Sequence, residues 1–141
     1  MKYVLDTNVI SEGTKPNPDL RCVRWLVAHA MECCITTISL AEMRYGVERL
    51  PDGKRRRELE RKVAFIRQNF REWILPFDEI AAVEFGRYVA EFADARGAAA
   101  VENSDVRDLQ IASIARANGW TVATRNVSDF PFVPTIDPFT A

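Results

Sequence analysis

Asp6, Glu42 and Asp108 are the residues of this sequence best placed to do chemistry. Each stands where an apolar strand stops or a helix begins, in three segments far apart along the chain. If the strands lie parallel, all three acids collect at the carboxyl edge of one sheet, where open α/β folds build their sites. Clustered carboxylates repel one another and cannot all remain ionised unaided, so the arrangement calls for a hard divalent cation. Two carboxylates and several waters suffice for Mg²⁺, and a third or fourth acid could hold a second ion or orient an attacking water.

Each acid also has a purely structural explanation. Asp6 follows a buried type of strand and precedes Thr7-Asn8, where an Asp equally serves as a turn cap. Glu42 lies three residues after Ser39, the spacing of a capping box in which the Glu bonds back to the cap amide. Asp105 and Asp108 share one face in the first turns of a helix, where the macrodipole favours acids by roughly 0.3–1 kcal/mol. Asp129, just beyond the strand that ends at Thr124, either joins the other acids or shapes a turn. Coincidence favours the site: the principal acids fall at one topological edge, while the others scatter over charged helical faces.

The remaining residue types narrow the chemistry. His29 is the sole histidine and lies in a helical stretch, which excludes a two-histidine acid–base nuclease and a His-ligated zinc centre. No Ser or Cys nucleophile can be paired with a His, and no Gly-rich phosphate loop is present. Cys22, Cys33 and Cys34 match no zinc or redox spacing and read as reduced, semi-buried thiols. A formal net charge of −1 gives no global field for nucleic acid, so any such binding needs a local patch. The start of the chain has no leader pattern and no apolar run is long enough to span a bilayer, so a cytoplasmic protein is expected. Metal-activated water attacking phosphorus in line is the mechanism these residues support.

These side chains need a scaffold, and 141 residues provide one domain, 1–141, with a single core. Short apolar runs at Lys2–Leu5, Cys33–Thr36, Trp73–Phe77, Trp120–Thr124 and Val133–Ile136 read as strands. Between them, helical spacing predicts stripes of Leu20, Val23, Val27 and Ala30; of Leu40, Met43, Val47 and Leu50; and of Leu59, Val63, Ile66 and Phe70. A long helix from Asp78 to about Arg96 aligns Ala81, Phe85, Tyr88 and Phe92 over a surface wide enough for burial or a subunit contact. A last helix opens near Ser104 and stops at Asn118-Gly119. Strands alternating with helices predict a three-layer α/β/α domain with a mainly parallel sheet. Trp25, Trp73 and Trp120 sit in apolar segments and are expected in the core. The basic run Lys54–Arg57 reads either as a local basic patch towards RNA or the acidic part of an antitoxin, or as a solvated helix start with Arg56–Glu60 and Glu58–Lys62 as pairs.

Val4-Leu5-Asp6-Thr7-Asn8-Val9-Ile10-Ser11-Glu12 resembles the opening of PIN-domain ribonucleases, in particular the VapC and FitB-like toxins of bacterial toxin–antitoxin pairs. The resemblance continues through Thr37–Val47, Ile74–Asp78, Asp108–Ala115 and Val122–Phe130, in the expected order and over nearly the whole chain. It implies a PIN-like fold and a Mg²⁺- or Mn²⁺-dependent endoribonuclease that leaves a 5′-phosphate, forms a homodimer and is inhibited by a cognate antitoxin. It assigns Asp6, Glu42 and Asp108 as the metal-binding acids. Many relatives carry an Asp at the position of Asn126, whereas here the nearest carboxylate is Asp129. An amide oxygen can ligate but adds no charge, so one firm ion is expected, and a second mainly with RNA bound. Arg44 and Arg125, adjacent to acidic positions, are candidates to meet RNA phosphates.

Three other readings are weighed against this one. A catalytically inactive PIN-like module for RNA or protein would not need all three acids. A phosphoaspartate enzyme would need an Asp at the place of Asn8, or a lysine at a later strand end. A structure-specific DNA nuclease would need DNA-binding elements for which the chain has no room.

Overall fold

Five short strands, all parallel, form one sheet in the order β3-β2-β1-β4-β5 in a computed structural model that describes residues 1–141. They are β1 (Tyr3–Leu5), β2 (Cys33–Thr36), β3 (Ile74–Leu75), β4 (Thr121–Ala123) and β5 (Thr135–Ile136). Tyr3 pairs with Cys33 on one side and Thr121 on the other, so β1 is central. Every residue of β1 and β2 is buried, as parallel strands covered on both faces must be.

Alternation along the strands divides the core in two. Tyr3, Leu5, Cys33, Ile35 and Ala123 face α1 (Thr7–Glu12), α2 (Leu20–Ala28), α3 (Thr37–Glu48) and α4 (Lys54–Asn69), where Val9, Trp25, Met43, Val47, Val63 and Ile66 meet them. Val4, Cys34 and Val122 face the opposite layer, built from Tyr88 and Phe92 of α5 (Glu79–Arg96) and Ile111, Ala112 and Ala115 of α7 (Val106–Asn118). A short α6 (Ala98–Glu102) joins these two helices. The three-layer architecture with a parallel sheet is therefore as the sequence predicts. α7 stops as expected: Gly119 adopts φ of +70°, a left-handed turn that a side chain would oppose.

Local details differ from the pattern reading. α2 buries Cys22 and Trp25 against the sheet, with Leu26 beside them, while Leu20 and Val27 are exposed, so the apolar spacing alone does not give its rotation. Trp73 is also exposed, since only Ile74 and Leu75 enter the sheet. The cysteines are fully buried and free. His29 packs against Tyr3 and Trp25 and reaches Glu32 through Nδ1. No helix is long and apolar enough to cross a membrane.

α3 begins one turn earlier than the capping-box reading requires. Thr36 is its cap, accepting from the Ser39 N–H at 3.1 Å. Glu42 is thereby released from the cap and lies one turn further in. In the basic run the pairs also differ: Arg56 bonds to Glu48 and the Leu50 carbonyl, and Lys54 approaches Glu58, which leaves Lys62 without an ion partner. α4 packs beside α3, so interhelical acids take Arg56 from its own helix.

Candidate active site

Asp6 caps α1 at the carboxyl end of β1, and its buried carboxylate is held from three sides. The Thr7 N–H donates to it at 2.8 Å, the Thr124 hydroxyl at 2.8 Å and the Asn8 amide at 3.2 Å. Thr124 stands at the end of β4, next to β1, and also accepts from the Asn126 N–H. The Arg125 N–H donates to the Asn8 Oδ1 at 3.2 Å, which fixes the Asn8 amide. The cap reading of Asp6 therefore holds: one oxygen caps the helix, and the other is oriented by Thr124 of the neighbouring strand and by Asn8.

Glu42 arrives from α3, which grows out of β2 on the other side of β1. Thr7 links it to Asp6: the Thr7 hydroxyl lies 3.0 Å from Ser39 Oγ and 3.3 Å from Glu42 Oε1, and its single proton serves one of them at a time. Arg107 approaches the other Glu42 oxygen at 3.6 Å.

Asp108 is delivered differently from the sequence argument, since α7 follows α6 and not a strand. The crossover rule supplies the reason. A helix that must return the chain to the amino end of parallel β4 starts at the carboxyl edge, so its first turn lies beside Asp6. Asp105 caps this helix and grips Arg107 through two side-chain bonds, Nε to Oδ1 at 3.0 Å and Nη2 to Oδ2 at 2.7 Å. That grip holds the Asp105 carboxyl below its ordinary range.

The electrostatics mark these acids as one group. Burial, reinforced by the charges of Asp6, Asp105, Asp129 and Glu42, pushes Asp108 up to about 7. Asp6 is raised by burial against the pull of its hydrogen bonds, with Asp129 adding repulsion. Glu42 is raised by burial and by Asp6, opposed by Arg107. Asp129, in a 3₁₀ turn after β4, shares a polar cleft with Asp105 and Asp108. No cation pairs with Asp6 or Asp108.

Not every candidate joins this group. Arg44 points along the outer face of α3 into pairs with Glu48 and Glu60. The Arg125 guanidinium lies over the Phe139 ring, 4.3 Å from its centre. Thr7, Thr124 and Arg107 beside these acids are not singled out by the sequence, and Ser39 is read there only as a helix cap. For Thr124 a signal existed, a hydroxyl at the end of the strand next to β1. Arg107 offered none, because only the fold brings it to Glu42.

The donor set is all hard oxygen with excess negative charge, which suits Mg²⁺ or Mn²⁺ and not a soft metal. No three of the acids stand close enough to enclose an ion by themselves. That fits a cation that keeps much of its water and takes only one or two carboxylates directly.

A parallel α/β/α sheet bearing an acidic, oxygen-only site at its carboxyl edge defines the class. The chain belongs to the PIN domain family, which it matches over residues 3–131. Toxin FitB of Neisseria gonorrhoeae is 38% identical over 129 residues, 90% of this chain and 89% of that protein. VapC ribonuclease Y4jK of Sinorhizobium fredii is 35% identical over 129 residues, with the same shares covered. Among solved structures, FitAcB from Neisseria gonorrhoeae is similar with a TM-score of 0.85 and 33% identity, covering 99% of both chains.

Proposed function

We propose that this protein is a metal-dependent endoribonuclease, the toxin of a toxin–antitoxin pair, which hydrolyses RNA phosphodiesters with Mg²⁺ or Mn²⁺. The observation that carries the reading is the gathering of Asp6, Glu42 and Asp108 near Asp129, where burial and then the neighbouring acids raise the proton affinity of the first three, with no cation on Asp6 or Asp108. The names of the relatives, a toxin and a ribonuclease, support the same conclusion.

One or two of Asp6, Glu42 and Asp108 would bind the ion directly and the rest through its water, with Asp129 and the Asn126 amide available for a second. Bound there, a divalent ion supplies Lewis-acid stabilisation to the phosphate oxygens and makes an attacking water more acidic. Asp6 is the stiff member, since three hydrogen bonds fix its orientation before any ligand arrives. Asp108 bears no such bonds and must give up its proton on binding metal. With no histidine pair to run 2′-hydroxyl chemistry, water is the nucleophile; the resemblance to PIN-domain ribonucleases implies that the bond to O3′ is the one that breaks as water attacks phosphorus, which leaves a 5′-phosphate and a 3′-hydroxyl.

The same reading makes the protein one domain, 1–141, working in the cytoplasm with its thiols reduced. A cognate antitoxin restrains it, a reading that the name Toxin FitB of a relative supports only as far as the toxin itself. It pairs as a homodimer, for which exposed Ile80 and Val83 of α5 offer apolar surface. Purified protein incubated with total RNA should cleave it with Mg²⁺ or Mn²⁺ and stop with EDTA. Asp6→Asn should be inactive while still folded. RNA left intact by the metal-loaded wild type would refute the proposal.

A further inference from the structure

A groove opens beside Glu42, on the side of the acids away from Asp129. Thr7, Ser11 and Thr14 form one wall, α4 the other with Lys62, and Arg107 stands at the inner end. Its outward continuation, past Thr14 and Lys62, reaches Arg61. Neither Lys62 nor Arg61 forms an ion pair, although α4 has acids at Glu58 and Glu60; those acids are occupied by Lys54 and Arg44. The groove therefore places uncommitted cations beside polar walls, whose Thr7 and Thr14 hydroxyls already donate within the protein, immediately next to an acidic site.

Arg107 is built for a second partner. Asp105 holds its Nε and Nη2, so the planar guanidinium has one fixed orientation. Its Nη1 faces Glu42 at 3.6 Å, beyond good hydrogen-bonding distance, and has donors to spare. At the second position of α7 a base opposes the helix dipole, so helix stability is no reason for it to be there.

We propose that this groove is the RNA-strand subsite, in which Arg107 holds a phosphate oxygen next to Glu42 and Lys62 holds the neighbouring phosphodiester. The inference rests on the ribonuclease reading and deepens it. A polyanion suits this groove better than a protein segment does, because the adjoining groove along Leu26, Phe65 and Phe70 is apolar and holds no cation. Gly46 also lines the groove, and an added Cβ there meets only Leu59 at 3.9 Å, so a larger residue has room to narrow it.

The test is steady-state cleavage of a fluorescein-labelled single-stranded RNA of about 12 nucleotides by wild type, Lys62→Gln, Arg107→Gln, Arg107→Lys and Gly46→Met, over a range of salt. Lys62→Gln should raise KM several-fold at unchanged kcat and flatten the slope of log(kcat/KM) against log(salt) by about 0.7, the value for one single-strand phosphate contact. Arg107→Gln should raise KM and lower kcat, with Arg107→Lys recovering part of the KM. Gly46→Met should raise KM with its salt slope unchanged and its thermal stability kept. If wild type cuts the RNA but Lys62→Gln and Gly46→Met keep its KM and slope, the inference is wrong. It is equally wrong if those variants cut normally yet escape the cognate antitoxin, which would give the groove to the protein partner. A wild type that cuts no RNA would instead remove the ribonuclease reading.

Discussion

Asp108→Asn tests the electrostatic core of the site without needing substrate. Asp108 is displaced from an ordinary value of 3.8 to about 7 by burial and four like-charged neighbours. Because the folded form keeps this proton more tightly than the unfolded chain, unfolded molecules ionise first between about pH 4 and 7. Metal-free stability therefore falls as pH rises through that window, and the deficit is complete above it. A shift of about three units at 1.36 kcal/mol each sets a ceiling of about 4 kcal/mol. Partial exposure, and protons shared with Asp6 and Glu42, reduce the realised effect to about 1–2 kcal/mol. The Asp108 carboxylate accepts no bond from a neighbouring side chain, so the amide sacrifices little. In EDTA at pH 8, Asp108→Asn should melt roughly 3–8 °C above wild type, the gap closing towards pH 4. With Mg²⁺ present the order should narrow or reverse, since wild type gains from metal binding and the variant gains less. Differential scanning fluorimetry across pH, with and without metal, measures all of this. A variant no more stable than wild type in EDTA at pH 8, or with the same pH slope, would refute the account of mutual repulsion.

Further outcomes follow from the bonds around Asp6. Thr124→Val removes a buried hydroxyl that donates to Asp6 and accepts from Asn126, and should cost about 1–3 kcal/mol in urea denaturation. It should also weaken Mg²⁺ binding, measured by calorimetry. Thr36→Ala deletes the cap of α3 and should cost about 1 kcal/mol, while a Ser39→Ala variant keeps that cap and should retain more stability. Asp6→Asn should abolish RNA cleavage yet keep a native circular dichroism spectrum, and any substantial residual activity would remove Asp6 from the mechanism. Ile80→Asp should shift sedimentation towards the monomer if α5 contributes to self-association.

Much of this architecture was legible in the residues themselves. The strands declare themselves as short β-branched and apolar runs, and Asp78 and Asn118-Gly119 punctuate helices because capping is local chemistry, whereas the helix read from Ser104 is capped one residue later, by Asp105. Met43 and Val47, Val63 and Ile66, and Tyr88 and Phe92 point inward as their spacing requires. Where local signals compete, the pattern is not enough. Thr36 and Ser39 are both acceptable caps, and the choice between them decides whether Glu42 is tied to a helix end or left free to face Thr7 and Arg107. The same holds for the rotation of α2 and for the partners of Arg56, which depend on which helix lies alongside.

By itself, the sequence determined the order of elements and the residue types: short-range periodicity and capping preferences specify strands and helices, and a lone histidine with acids at element boundaries leaves metal-dependent water chemistry. Only the tertiary structure decided what those acids meet. Parallel pairing of β1 with β2 and β4 sets Thr124 on Asp6 across 118 positions of chain, and the return of α7 to the sheet's carboxyl edge brings Asp108 and Arg107 to Asp6 and Glu42. Proton affinity and ion pairing depend on burial and on distance through space, and neither is encoded in the neighbours along the chain.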